Sequence, residues 1–173
     1  FAKGGFDAVI GNPPYIRIQA MKEWAPKEVE FYKKKYVAAS KGNYDIYVIF
    51  IENGLALLYQ SGLLGFILPH KFFNSQYGEP IRNILSQGGN ISHITHFGDQ
   101  QSFGGATTYT CLLFLSRTNQ RNFGIEKVTN IDDWIISKKS ENGIIDSSSL
   151  SGAEWNFIFG DKAKVFAKIN KNQ

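Results

Sequence analysis

The chain has 173 residues, 43% of them hydrophobic and 14% aromatic, with a net charge of +4. That length and apolar content suit one buried core and exclude a disordered segment. The single cysteine, Cys111, excludes an internal disulfide and suits a reducing cytoplasm, and the apolar runs are too short or too interrupted to span a membrane. The first residue, Phe1, is neither an initiator Met nor the start of a signal-like segment, so the sequence reads as a piece of a longer protein.

In chain order, Ala8 to Ile10 reads as a short buried strand that runs into Gly11-Asn12-Pro13-Pro14-Tyr15. Gly11 permits close backbone approach, and two prolines stiffen the exit. A side-chain amide is thereby presented at the carboxyl end of a strand, where ligands of open α/β sheets sit. Asn12 offers a carbonyl acceptor and the rigid Pro13 carbonyl offers another. Two acceptors converging on one amino group orient its lone pair and stabilise the charge it gains on attacking an electrophile. Tyr15 supplies a flat face for the ring that bears the amine.

Asn12-Pro13-Pro14-Tyr15 resembles the catalytic tetrapeptide of DNA adenine methyltransferases, most like the γ-class enzymes of bacterial restriction-modification systems. The resemblance runs from about Phe6 to about Arg117. It implies transfer of a methyl group from S-adenosylmethionine to the N(6) amine of an adenine flipped out of double-stranded DNA. It also implies an α/β fold, the C-terminal half of a Rossmann-like sheet that ends in an antiparallel hairpin. Residues 1–117 are then expected to be part of a catalytic domain. Residues 118–173 are expected to be an irregular connector towards a DNA-recognition domain.

The charge excess follows this turn. Arg17, Lys22, Lys27, Lys33, Lys34, Lys35 and Lys41 face only Glu23, Glu28 and Glu30 within that stretch. A basic segment beside a base-binding turn suits a phosphate backbone, with Arg17, Lys22, Lys33, Lys34, Lys35 and Lys41 the expected contacts. Within it, Val29 to Tyr36 reads as a short helix. Asp45 is then expected to cap a helix reaching Gln60, with apolar residues at 46, 49, 50, 57 and 58. The resemblance assigns Phe50 on that helix to the adenine of the cofactor.

Gly65 to Pro69 reads as a second buried parallel strand, followed by His70-Lys71-Phe72-Phe73. His70 is expected to be structural, and the histidines lack metal-ligand spacing. Glu79 to Gln87 is expected to be a helix stopped by Gly88-Gly89. Ile91–Phe97 and Thr108–Leu115 are expected to be strands around one polar loop, which implies an antiparallel pair. The resemblance assigns Phe103 in that loop, with Tyr15, to stacking on the flipped base. Beyond Arg117, strands within Phe123–Ile136, a loop over Ser137–Ser151 and a helix over Lys162–Ile169 are expected.

The glycine-rich cofactor loop and acidic ribose reader expected of such an enzyme do not precede the motif, so the chain alone is expected to be inactive and to need the remainder of a parent polypeptide, its cofactor-binding half and DNA-recognition domain. Two other readings stay open: methylation of an RNA base or a glutamine amide, and a non-catalytic DNA-binding or specificity module.

Overall fold

β-branched residues with a proline stop favour a short strand at the motif, and apolar residues three and four apart favour helices between the strands. The computed structural model describes residues 4–101 and 108–157. It contains strands β1 (Phe6–Gly11), β2 (Leu58–Pro69), β3 (Ile91–Gln101), β4 (Tyr109–Ser116), β5 (Asn122–Lys127) and β6 (Glu141–Asp146), and helices α1 (Ile18–Trp24), α2 (Pro26–Lys35), α3 (Tyr47–Leu57), α4 (Glu79–Gly88) and α5 (Ile131–Ser137).

The strands form one sheet in the order β1-β2-β4-β3-β5-β6. β1 pairs with β2 in parallel, and β3 with β5 in parallel. β4 is antiparallel to both β2 and β3 and lies between them, so β1, β2, β3 and β5 share one direction. Their carboxyl ends form a single rim carrying Asn12, His70, Gly98 and Val128. The amino end of β4 returns to the same rim at Thr108 and Tyr109.

Register separates the two faces of the sheet. Ile10 aligns with Gly65, Gly65 with Phe114 and Phe114 with His93, so these positions point one way. Leu64, Phe66, Leu68, Cys111, Leu113, Leu115, Ile94 and Ile125 point the other way and are buried beside Tyr47, Ile51, Ile81 and Leu85 of α3 and α4. The opposite face leaves Ile10 (91%), Leu63 (57%) and Ile144 (78%) exposed.

Close packing explains two glycines. A Cβ on Gly11 would sit 3.2 Å from the Phe66 ring, so the strand exit lies flat on β2. Gly89 takes φ 57°, the left-handed conformation that ends α4, and its N–H reaches the Leu85 and Ser86 carbonyls.

Several expectations change. β1 is an edge strand with an exposed outer face rather than a buried strand, because it pairs on one side only among the described residues. Asp45 caps nothing: Ile46 holds the N-cap position of α3 without a side-chain bond. The basic segment contains an additional helix, α1, which buries Ile18 and Met21 at i, i+3 spacing. β2 begins at Leu58, where the sequence reads as helix. The stretch after Arg117 is less irregular than expected, since β5 and β6 extend the sheet and Trp155 is 3% exposed in the core. The expected helix over Lys162–Ile169 lies outside the described residues.

Arg82, 2% exposed, ties the segment after β2 to the stretch that follows β6. Its guanidinium donates to the carbonyls of Phe72 (2.5 Å), Ser75 (2.8 Å) and Gly152 (3.0 Å). Arg82→Ala leaves three carbonyls without that donor and is expected to cost about 2–4 kcal/mol. Urea unfolding measures this, and an unchanged midpoint would show that the clamp contributes nothing.

Candidate active site

The turn after β1 is held from both ends. Upstream, Val9 to Gly11 pair with Leu64 to Phe66 of β2. Downstream, Ile18 N–H donates to the Tyr44 carbonyl and Ile46 N–H to the Ile16 carbonyl, each at 2.9 Å. Pro13 is buried, whereas Asn12 is exposed at the strand end. The Tyr15 hydroxyl donates to the Ile67 carbonyl (3.3 Å), and its ring meets Tyr47 edge-on at 6.5 Å. Burial, then the neighbouring Cys111, pushes the Tyr15 phenol up to about 12, so it remains a neutral donor.

Tyr15 lines a cavity of about 360 Å³ at the carboxyl rim. Pro69, His70, Lys71 and Asn74 close it from the end of β2, Thr108 and Tyr109 from the start of β4, and Arg17 and Asp45 from the chain that follows the motif. The His70 ring lies nearly parallel to Tyr109 (6.4 Å, 18°) and 4.3 Å from His96. His70 Nε2 faces the Gly98 carbonyl at 3.3 Å, which makes it the protonated nitrogen. His96 Nδ1 accepts from Gly98 N–H at 2.8 Å, which places its proton on Nε2. A second cavity, about 240 Å³, lies beyond this pair, against Phe73, Lys127 and Trp155.

Behind the first cavity runs a chain of hydroxyls. Tyr77 donates to Asp45 Oδ2 at 2.9 Å, so the Tyr47 hydroxyl, 2.9 Å from that of Tyr77, donates in turn. Burial raises both phenols, which keeps them protonated.

The predicted residues are placed unequally. Tyr15 and Arg17 meet at the cavity. Lys22, Lys33 and Lys34 are exposed on α1 and α2. Lys35 lies over the Phe31 and Tyr36 rings, 5.3 Å from each centroid, and Lys41 is ion-paired with Glu79, so part of the basic field is satisfied internally. Phe50 sits on α3 with 43% of its surface exposed and does not line this cavity. Phe103 lies outside the described residues. No metal-holding group of three or more His, Cys, Asp or Glu occurs among the described residues.

Asp45, Asn74 and Tyr109 were not expected at the site. The proline-terminated strand ahead of His70-Lys71 signalled His70 and Lys71 in outline. Nothing local links Asp45 to Tyr77.

Residues 1–103 match the model of the Eco57I restriction-modification methylase, and the chain belongs to that family. It is 38% identical over 152 residues to the type II restriction enzyme and methyltransferase RM.Eco57I of Escherichia coli, covering 87% of this chain and 15% of that protein. It is 40% identical over 165 residues to the putative type II restriction enzyme and methyltransferase RM.MjaORFECS2P of Methanocaldococcus jannaschii, covering 95% and 13%. The fold matches a putative class I S-adenosylmethionine-dependent methyltransferase of Listeria monocytogenes with a TM-score of 0.58 at 16% identity, over 78% of this chain and 40% of that one. The chain thus spans about one seventh of the two relatives.

The histidine pair carries a pH signature. Burial, then His70 and Lys127, lowers His96 from 6.5 to about 4, and burial also lowers His70. Between those pH values the unfolded chain binds a proton that folded His96 refuses, so stability falls as pH drops from about 6.5 towards about 4. His96→Gln is expected to flatten part of that slope in urea titrations at a series of pH values. An identical slope in the variant would exclude His96 as its source.

Proposed function

We propose that the chain carries the substrate-adenine side of a DNA adenine N(6)-methyltransferase within a restriction-modification protein. The observation that carries this is the placement of Asn12-Pro13-Pro14-Tyr15 at the carboxyl end of β1, with Tyr15 forming one wall of a cavity open at the rim. Membership of a methylase family supports it.

Asn12 and the Pro13 carbonyl hold the two hydrogens of the amine and aim its lone pair. Tyr15, locked by Ile67 and Tyr47, offers its face to the purine, and Phe103 is proposed as the second face. Arg17 and Lys71 at the cavity, with Lys22, Lys33 and Lys34 outside, fit the phosphates of double-stranded DNA.

The chain fits one wall of a cofactor site: Asn12 is exposed at the end of β1, and Phe50 presents a half-exposed ring on α3. When bound, S-adenosylmethionine supplies the electrophilic methyl group. The remainder of the parent polypeptide is proposed to complete that site, to cover the open face at Ile10 and Leu63, and to read the DNA sequence through a separate recognition domain. Such an enzyme acts in the cytoplasm. No described helix is long and apolar enough to cross a membrane.

Full-length protein incubated with labelled S-adenosylmethionine and mixed DNA is expected to place label in N(6)-methyladenine. Asn12→Ala is expected to reduce the rate by at least about 10²-fold while sparing DNA binding. Label recovered in RNA or in protein glutamine would move the reaction to those substrates. Full activity of Asn12→Ala would remove the motif from the chemistry.

A further inference from the structure

The two acceptors at the motif hold the amine but neither takes a proton away from it. Asn12 is an amide and the Pro13 group a backbone carbonyl, and both are too weakly basic for that task. Atom balance requires a destination. The amine lone pair forms the N–C bond as the C–S bond of the sulfonium donor breaks with its electron pair passing to sulfur. The nitrogen is then cationic and sheds one hydrogen as a proton.

Among the described residues lining the Tyr15 cavity, Asp45 is the one carboxylate. Its position is fixed three ways. Its backbone pairs with Arg17, two residues past Tyr15. Ile46 beside it donates to the Ile16 carbonyl. Its Oδ2 accepts from Tyr77, which is itself held by Tyr47, the ring against Tyr15. One carboxylate oxygen is thus anchored, leaving Oδ1 to act.

We infer that Asp45 is the acceptor of the proton released from the adenine amine, a role that rests on the adenine-methylation reading above. The carboxylate takes the proton, the neutral methylated amine remains on the base, and the proton passes from Asp45 to solvent at the cavity mouth. The other titratable and charged groups are Arg17, Lys71, His70, Tyr15 and Tyr109 around the cavity and Tyr77 and Tyr47 behind. Burial keeps Tyr15, Tyr47 and Tyr77 protonated, and His70, lowered by burial, is a poor competitor for a proton.

The test is single-turnover methylation of a target duplex by the full-length protein at saturating cofactor, across its active pH range. Asp45→Asn is expected to slow the step by about 10²-fold, with DNA and cofactor affinities unchanged. Tyr77→Phe keeps the carboxylate but removes its donor. The rate is then expected to fall about tenfold, because the carboxylate loses the bond that fixes its position. A normal rate for Asp45→Asn would overturn the inference. If Asp45→Asn does not fold, an unchanged rate in Tyr77→Phe overturns it instead. Wild-type protein that leaves adenine unlabelled would overturn the underlying reading, whereas labelled adenine with a normal Asp45→Asn overturns only this step.

Discussion

Two backbone hydrogen bonds, Ile18 N–H to Tyr44 and Ile46 N–H to Ile16, decide how the site is assembled. They clamp the chain leaving the proline turn against the chain entering α3. Without them the basic segment between residues 17 and 43 would be a long excursion with no fixed return. With them, Tyr15, Arg17 and Asp45 face one cavity although thirty residues separate the first from the last. The turn itself is fixed by β1–β2 pairing on one side and by Pro13 burial on the other. On the proposed reading this rigidity serves the chemistry, since an amine is oriented only as well as the acceptors that hold it.

The insertion of β4 between β2 and β3 completes the arrangement. It turns the start of β4 back to the rim where the parallel strands end, so Tyr109 stands beside His70 and opposite the motif. The same topology leaves one sheet face covered by α3 and α4 and the other bare at Ile10, Leu63 and Ile144. Those apolar side chains share one face of the sheet, and the chain spans 15% of its Escherichia coli relative.

The fold class and the central turn were legible in the sequence because they rest on local signals: a strand stopped by prolines, apolar spacing in α4, and two strands around a loop too short for a helix. Boundaries shifted where local and tertiary preferences disagreed. Leu58 to Gln60 continue a helical pattern yet join β2, because pairing with β1 and the Arg117 contact to the Leu58 carbonyl reward extension there. Ile10 is apolar and reads as buried, but burial requires a partner on its face and the described chain supplies none. Asp45 precedes a helix and looks like a cap. Its true partner, Tyr77, lies thirty-two residues on, and no periodicity encodes that contact. The basic segment was legible as charge, but not the pairing of Lys41 with Glu79 or the stacking of Lys35 on aromatic rings.

The central claim is that the cavity beside Tyr15 receives the target adenine. A structure of the full-length protein with its target duplex and a non-reactive cofactor analogue measures this directly. The account predicts an extrahelical adenine against the Tyr15 ring, its amine between the Asn12 side chain and the Pro13 carbonyl. A target base still stacked in the duplex, or one lodged in the separate cavity at Trp155 and Lys127, would contradict it.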